Sequence, residues 1–182
     1  MKQYHFNKLR SIFQSNFKWN KSRIKFLTDF VTLIILTASI KLNRISLLMN
    51  TGNKSESNYR TIQRFFKLYE MNYDDYSRFV LMLLSSQSKY YLVMDRTNWK
   101  FGNSNINILM LGVIYKDNCF PLYWELLDKG GSSSTQERKK LLTKAIKLLG
   151  KDRILGLLGD REFIGVQWFR YLISNQIEFH IR

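Results

Sequence analysis

Two aspartates stand where an α/β protein most often places its chemistry. The apolar run Tyr90-Tyr91-Leu92-Val93-Met94 ends in Asp95 and continues as Arg96-Thr97-Asn98-Trp99-Lys100-Phe101-Gly102. A second run, Ile154-Leu155-Gly156-Leu157-Leu158-Gly159, ends in Asp160 and continues as Arg161-Glu162. A short apolar run bounded by turn residues reads as a buried strand, and open α/β sheets bind their ligands at the carboxyl ends of such strands. If the two strands are neighbours, Asp95 and Asp160 converge although 65 residues separate them. Paired carboxylates supply the hard oxygen ligands that Mg²⁺ prefers, and such a pair is a common way to hold the ion against a phosphate ester. The competing reading is local: an aspartate after a strand also starts a turn by accepting a hydrogen bond from the backbone beyond it. The repetition of Asp-Arg after both runs weighs toward chemistry.

Composition names the partner class. The 182 residues include 29 Lys and Arg against 14 Asp and Glu, a net charge of +15, with a sequence pI near 10.0. A cationic excess of this size attracts polyanions, because each neutralised phosphate releases condensed counterions. Nucleic acid is the first candidate and an anionic membrane surface the second, although no basic amphipathic helix dominates the sequence. The strongest apolar segment, Phe30 to Ile40, is shorter than the roughly 20 residues a bilayer span needs. Met1 to Trp19 is basic and aromatic and has no apolar core followed by a small-residue cleavage site. A cytoplasmic protein is the expectation. The single cysteine, Cys119, rules out an internal disulfide and a cysteine-rich zinc site, and in its apolar run it reads as a small buried hydrophobe.

The elements that must position the two acids fall into a helical part and a strand-rich part. The expected division is a mobile basic tail over 1–21, a helical DNA-binding region over 22–84 and a catalytic α/β region over 85–182, with Ser85 to Lys89 as the polar joint. In the helical part, Ile24, Leu27, Val31, Ile34, Ile35 and Ala38 recur at helical spacing, and Leu42, Ile45, Leu47 and Leu48 form a second short apolar segment. After the polar turn at Asn50 to Lys54, the segment Ser55 to Leu68 places Tyr59, Ile62, Phe65 and Phe66 on one face. Asn58, Arg60, Arg64 and Lys67 lie largely elsewhere, and a helix that packs by its aromatic stripe can present them to base edges and phosphates. A polar helix face is also, more blandly, a solvated one.

In the strand-rich part, strands are expected over Tyr90 to Met94, Asn105 to Tyr115 and Cys119 to Leu126, with a tight turn at Lys116-Asp117-Asn118. Ser134 and Glu137 make a capping box for a helix whose apolar face is Leu141, Leu142, Ala145, Leu148 and Leu149 and which stops at Gly150. A fourth strand over Arg153 to Leu158, a helix from about Ile164 to Ser174 and a fifth strand over Ile177 to Ile181 complete the order. The fold class is therefore α/β: a partial, five-stranded ribonuclease H-like mixed sheet, in which the first and fourth strands are neighbours, preceded by a small helical bundle.

The segments Asp95-Arg96-Thr97-Asn98-Trp99-Lys100-Phe101-Gly102, Asn105-Ile106-Asn107-Ile108-Leu109 and Asp160-Arg161-Glu162-Phe163 resemble the catalytic-domain signatures of DDE-type transposases of bacterial insertion sequences, in the cut-and-paste group that carries a large β-rich insertion before its last acidic residue. The resemblance spans roughly Tyr90 to Arg182. It implies that Asp95 and Asp160 are the first and second metal-binding aspartates, holding Mg²⁺ or Mn²⁺ as two ions once DNA is bound. It further implies metal-assisted attack of water, then of a DNA 3′-hydroxyl, on phosphodiesters, with double-stranded element ends and target DNA as partners and a homodimer on the DNA. Arg96 and Arg161 each follow an acid and are read as contacts to DNA phosphate, the alternative being that they pair with nearby carboxylates; Asn98 and Lys100 lie just past the first acid, close to where DNA must pass. One departure bears on activity: the family's third acid is a glutamate on a helix after the insertion, and the sequence ending at Arg182 has no such segment. The expectation is a truncated transposase, with Glu162 as a weak candidate to substitute. Two functions follow, an enzyme that cleaves and joins DNA and a catalytically inactive DNA-binding fragment that pairs with or inhibits a full-length copy.

Overall fold

A computed structural model describes residues 2–84 and 86–182, with side chains from residue 6 onward. Ser85, in the expected joint, and Met1 lie outside the described residues. The chain divides into two compact units, the first ending at Asp75 and the second beginning at Tyr76.

The first unit is helical: α1 (Lys2–Asn16), α2 (Lys21–Thr37), α3 (Leu42–Leu48) and α4 (Ser55–Leu68). The stretch expected as a tail is thus largely α1, and Phe13 and the following Phe17 are buried, because their rings join an aromatic chain in which Phe17 meets Trp19 and Trp19 meets Tyr69 edge-on at 4.2 Å. Asn20 starts α2 by accepting the Arg23 N–H at 2.9 Å, a side-chain N-cap. Phe30, Ile45, Met49 and Ile62 form the core, with Phe26, Leu33, Ile34 and Leu42 packed against it. Of the apolar residues read at helical spacing, Ile24, Ile45 and Ile62 are buried, whereas the core residues Phe30 and Met49 lie outside those sets and Ile35 of α2, Leu47 and Leu48 of α3 and Phe66 of α4 stay exposed.

A fifth helix, α5 (Tyr73–Leu83), lies mostly in the second unit, nine residues before the expected boundary. Ser77 explains why: it is fully buried and donates to the Leu122 carbonyl at 2.7 Å, while Tyr76 stands edge-on to Trp124.

The second unit is built on a five-stranded sheet in the order β3-β2-β1-β4-β5. The strands are β1 (Tyr90–Phe101), β2 (Ser104–Tyr115), β3 (Asn118–Leu126), β4 (Ile154–Gly159) and β5 (Phe179–Ile181), and α6 (Thr135–Leu149) and α7 (Val166–Ser174) lie between β3 and β5 in sequence. β1, β2 and β3 form an antiparallel meander, whereas β4 and β5 run parallel to their neighbours. A parallel neighbour demands a long crossover, which the α6 segment supplies. β1 continues to Phe101 rather than stopping near Asp95, since Gly102 takes φ +60° and closes a two-residue hairpin turn with Asn103. Leu92, Met94, Leu109, Leu111 and Val113 point to the buried face, where Leu141, Leu142 and Ala145 of α6 and Trp168 and Leu172 of α7 are also fully or almost fully buried. Cys119 is corrected from buried to exposed: it is the second residue of β3, next to the Lys116-Asp117 turn. No single described helix is long and apolar enough to cross a membrane.

Candidate functional site

Strand register brings the two aspartates together. β1 and β4 pair in parallel with Leu92 opposite Leu157 and Val93 opposite Leu158. Two residues further, each strand reaches its aspartate, so Asp95 and Asp160 leave adjacent backbones about 4.8 Å apart on the same face of the sheet. The backbones are still adjacent one residue past the last paired positions, since a Cβ built on Gly159 would stand 3.7 Å from the Met94 carbonyl oxygen. Both aspartates are exposed.

Each aspartate also does the local work of a turn residue. Asp95 Oδ1 accepts the Arg96 N–H at 2.8 Å, and Asp160 Oδ1 accepts the Glu162 N–H at 3.0 Å, capping the short 3₁₀ turn Arg161–Phe163. The second oxygen of each has no protein donor among the described residues. The local and chemical readings of these acids are therefore compatible: one oxygen fixes the rotamer and the other is left for a ligand.

Arg96 is the organiser of the rim. Its Nε donates to both Glu162 carboxylate oxygens at 2.8 and 2.9 Å, and its Nη2 lies 2.7 Å from Glu162 Oε2. Nη1 donates to Asn107 Oδ1 at 3.3 Å, and the buried Asn107 amide in turn donates to the carbonyls of Lys129 and Gly131 at 2.9 and 3.0 Å. One guanidinium thus joins β1, β2, the turn after β4 and the loop before α6. The hydrogen bond to Glu162 raises the Arg96 pKa above its ordinary value; burial opposes this, and the charges of Glu162, Asp160 and Asp95 add to it. Three carboxylates crowd this one cation, and it pairs with Glu162. Of the two roles weighed for Arg96, phosphate contact and pairing with a nearby carboxylate, the structure shows the second: its guanidinium is engaged by Glu162 and Asn107.

Below the rim, Arg138 of α6 is buried. It donates to the Ser133 hydroxyl and carbonyl at 2.9 and 2.6 Å and to the Glu162 carbonyl at 3.1 Å, and its guanidinium lies over the Phe163 ring. Burial lowers its pKa, against the pull of nearby Glu162. Sequence reasoning quotes Asn107 only within a motif and misses Arg138, and it weighs Glu162 only as a weak substitute ligand without naming it as the partner of Arg96. The alternation of β2 puts Asn107 on the buried face, the one signal that an amide there needs partners.

The donor set suits a hard cation. Two carboxylates, each with an unengaged oxygen, are ligands of the kind Mg²⁺ takes alongside waters and phosphate oxygens. Glu162 does not make a third, because its carboxylate is turned to Arg96. Accordingly, no group of three or more Asp, Glu, His or Cys gathers for a metal ion among the described residues.

The other expected contact residues separate into two sets. Arg161 is exposed next to Asp160, Asn98 and Lys100 are exposed three and five residues past Asp95 on the opposite face of β1, and Arg60, Arg64 and Lys67 are exposed along α4. With Lys54, Glu56, Ser57 and Gln63 these three line an open concavity of about 940 Å³. Asn58 is corrected: it is 3% exposed, accepts from the Thr51 hydroxyl at 2.6 Å and donates to the carbonyls of Ser46 and Met49, so it ties α4 to the α3 turn and cannot reach a base.

Neither a protein-family model nor a curated protein matches the chain. Solved structures similar to it include the HTLV-2 integrase catalytic core domain in complex with magnesium, in its dimeric form, at 15% identity and a TM-score of 0.40 over 52% of this chain and 61% of that one. A simian T-cell lymphotropic virus intasome in complex with PP2A regulatory subunit B56 gamma is similar at 14% identity and a TM-score of 0.42, over 58% of this chain and 42% of that one. The large terminase of a thermophilic bacteriophage is similar at 19% identity and a TM-score of 0.34, over 52% and 23%. The chain thus spans about three fifths of the integrase core it matches. Its own strand order and directions, an antiparallel meander flanked by two parallel strands with the first and fourth adjacent, are those of a ribonuclease H-like sheet.

Proposed function

We propose that this chain is the DNA-cleaving and strand-joining part of a transposase, acting on double-stranded element ends and target DNA. The observation that carries the reading is the in-register placement of Asp95 and Asp160 at the same rim of adjacent parallel strands. These two residues would hold divalent cations, Mg²⁺ or Mn²⁺, two with DNA bound. When bound, such ions activate the attacking oxygen and stabilise the leaving one. Arg96 and Asn107 keep the acid-bearing segments in place, and Arg161, Asn98 and Lys100 offer charge and hydrogen bonds to the DNA entering the rim. Arg60, Arg64 and Lys67 on α4 contact duplex phosphates, with pairing of two copies on the DNA.

A second reading has its own support: the gathering of only two carboxylates among the described residues favours a chain that binds element DNA without cutting it and pairs with or inhibits a complete enzyme. Incubation of the chain with end-containing DNA and Mg²⁺ or Mn²⁺ separates the two. Metal-dependent nicking that disappears in both Asp95→Asn and Asp160→Asn, with DNA binding retained, supports the enzyme. Salt-sensitive binding without nicking supports the inhibitor, and no binding at low salt sinks both.

A further inference from the structure

Past Asp95 the β1–β2 hairpin runs on as a two-stranded ribbon. β4 pairs with β1 no further than Val93, and β3 pairs with β2 no further than Ile108, so Trp99–Phe101 and Ser104–Ile106 have only each other as strand partners. Such a ribbon is marginal on its own, yet it carries two large rings in solvent, Trp99 at 52% and Phe101 at 75% exposure. Strand alternation puts Asp95, Thr97, Trp99 and Phe101 on one face and Asn98 and Lys100 on the other. At about 3.3 Å per residue, Trp99 stands about 13 Å and Phe101 about 20 Å along the strand from Asp95. In steps of about 3.4 Å per nucleotide, that is about four to six nucleotides from the acid pair.

We propose that Trp99 and Phe101 form a stacking platform for unpaired DNA bases beside the point of cleavage, an inference that rests on the DNA-processing role proposed above. Charge admits this occupant: the ribbon from Trp99 to Ile106 carries Lys100 and no acidic residue, Arg96 being paired with Glu162 and Lys116 lying past the far end of β2. Area argues against a second copy of the chain. Two partly exposed rings provide about 300 Å², against about 800 Å² per partner in a stable interface. Stacking on an unpaired base needs only the rings, and it tolerates any sequence because every base has a flat apolar face.

The test uses the full chain with two DNAs, a blunt duplex and the same duplex with a short single-stranded tail carrying 2-aminopurine, whose fluorescence falls on stacking. Wild type is expected to quench the probe and to prefer the tailed DNA. The double variant Trp99→Ala/Phe101→Ala, with an unchanged melting temperature, is expected to lose the quenching and about tenfold or more of its tailed-DNA affinity, while blunt-duplex affinity moves by less than about twofold. Trp99→Phe/Phe101→Tyr restores both. Unchanged quenching in the double variant, or equal loss on both DNAs, overturns the platform. So does a shift from dimer to monomer in sedimentation with quenching intact, which assigns the rings to self-association. Wild type that binds neither DNA overturns the DNA-processing role as well, whereas wild type that binds both while the variants change nothing overturns the platform alone.

Discussion

Arg96 and Glu162 show how much a single pair decides. Their side chains are only 13% and 19% exposed, and the guanidinium meets the carboxylate through two nitrogens, a geometry that lysine cannot reproduce. Glu162→Gln leaves Arg96 largely desolvated without its counter-charge, so a loss of about 1–3 kcal/mol is expected in chemical denaturation. Arg161→Ala, at an exposed position beside it, is expected to change stability by less than about 0.5 kcal/mol. Equal effects at the two positions would contradict the structural weight given to Arg96. The strands that lead into Asp95 and Asp160 were legible in the sequence because a short apolar run bounded by turn residues is a local signal. The ion pair was not, because it joins positions 66 residues apart and depends on which strands become neighbours. Asn58 misled for a related reason: helical spacing distinguishes faces but does not show that an amide is occupied by the carbonyls of Ser46 and Met49.

At the scale of elements, α6 was the most legible, its start and stop both written in short-range chemistry. Ser134 Oγ accepts the Glu137 N–H and Glu137 accepts the Ser134 N–H, while Lys129 Nζ reaches the same carboxylate. Burial alone would push the Glu137 pKa up; the hydrogen bonds from Lys129 and Ser134 outweigh it and leave the group below its ordinary 4.5. A carboxylate depressed in the folded state contributes stability above its unfolded pKa and loses it as pH falls through the folded value. Glu137→Gln is therefore expected to cost about 1 kcal/mol at neutral pH, with the difference from wild type closing as the pH falls below the ordinary carboxylate range and through the lower folded value. A difference that persists in acid would show that the carboxylate's charge is not what stabilises the cap. β1 was half legible: its apolar start marked a strand, whereas Asp95 read as a stop, and the strand goes on because Thr97, Trp99 and Phe101 keep the alternation and Gly102 turns the chain.

For the whole molecule, the excess of 29 cations over 14 anions sets an expectation that does not depend on any one contact. DNA affinity measured across a salt series should fall linearly on logarithmic axes, and each phosphate contact removed should lower the slope by about 0.9. Replacing Arg60, Arg64 and Lys67 by alanine is expected to flatten the line by up to about 2.7 if all three touch phosphate. A slope that does not move places the duplex on another face.

The parallel pairing of β1 with β4 has an evolutionary corollary. Because successive side chains of a strand point to opposite faces, deleting one residue between Leu92 and Asp95 would turn the carboxylate inward and send a core methyl group out to water. Changes of length past Phe101, at the Gly102-Asn103 bend, leave that parity untouched. The bend beyond Phe101 can thus take inserted residues without moving the acid, while the few residues before Asp95 are held to a fixed count.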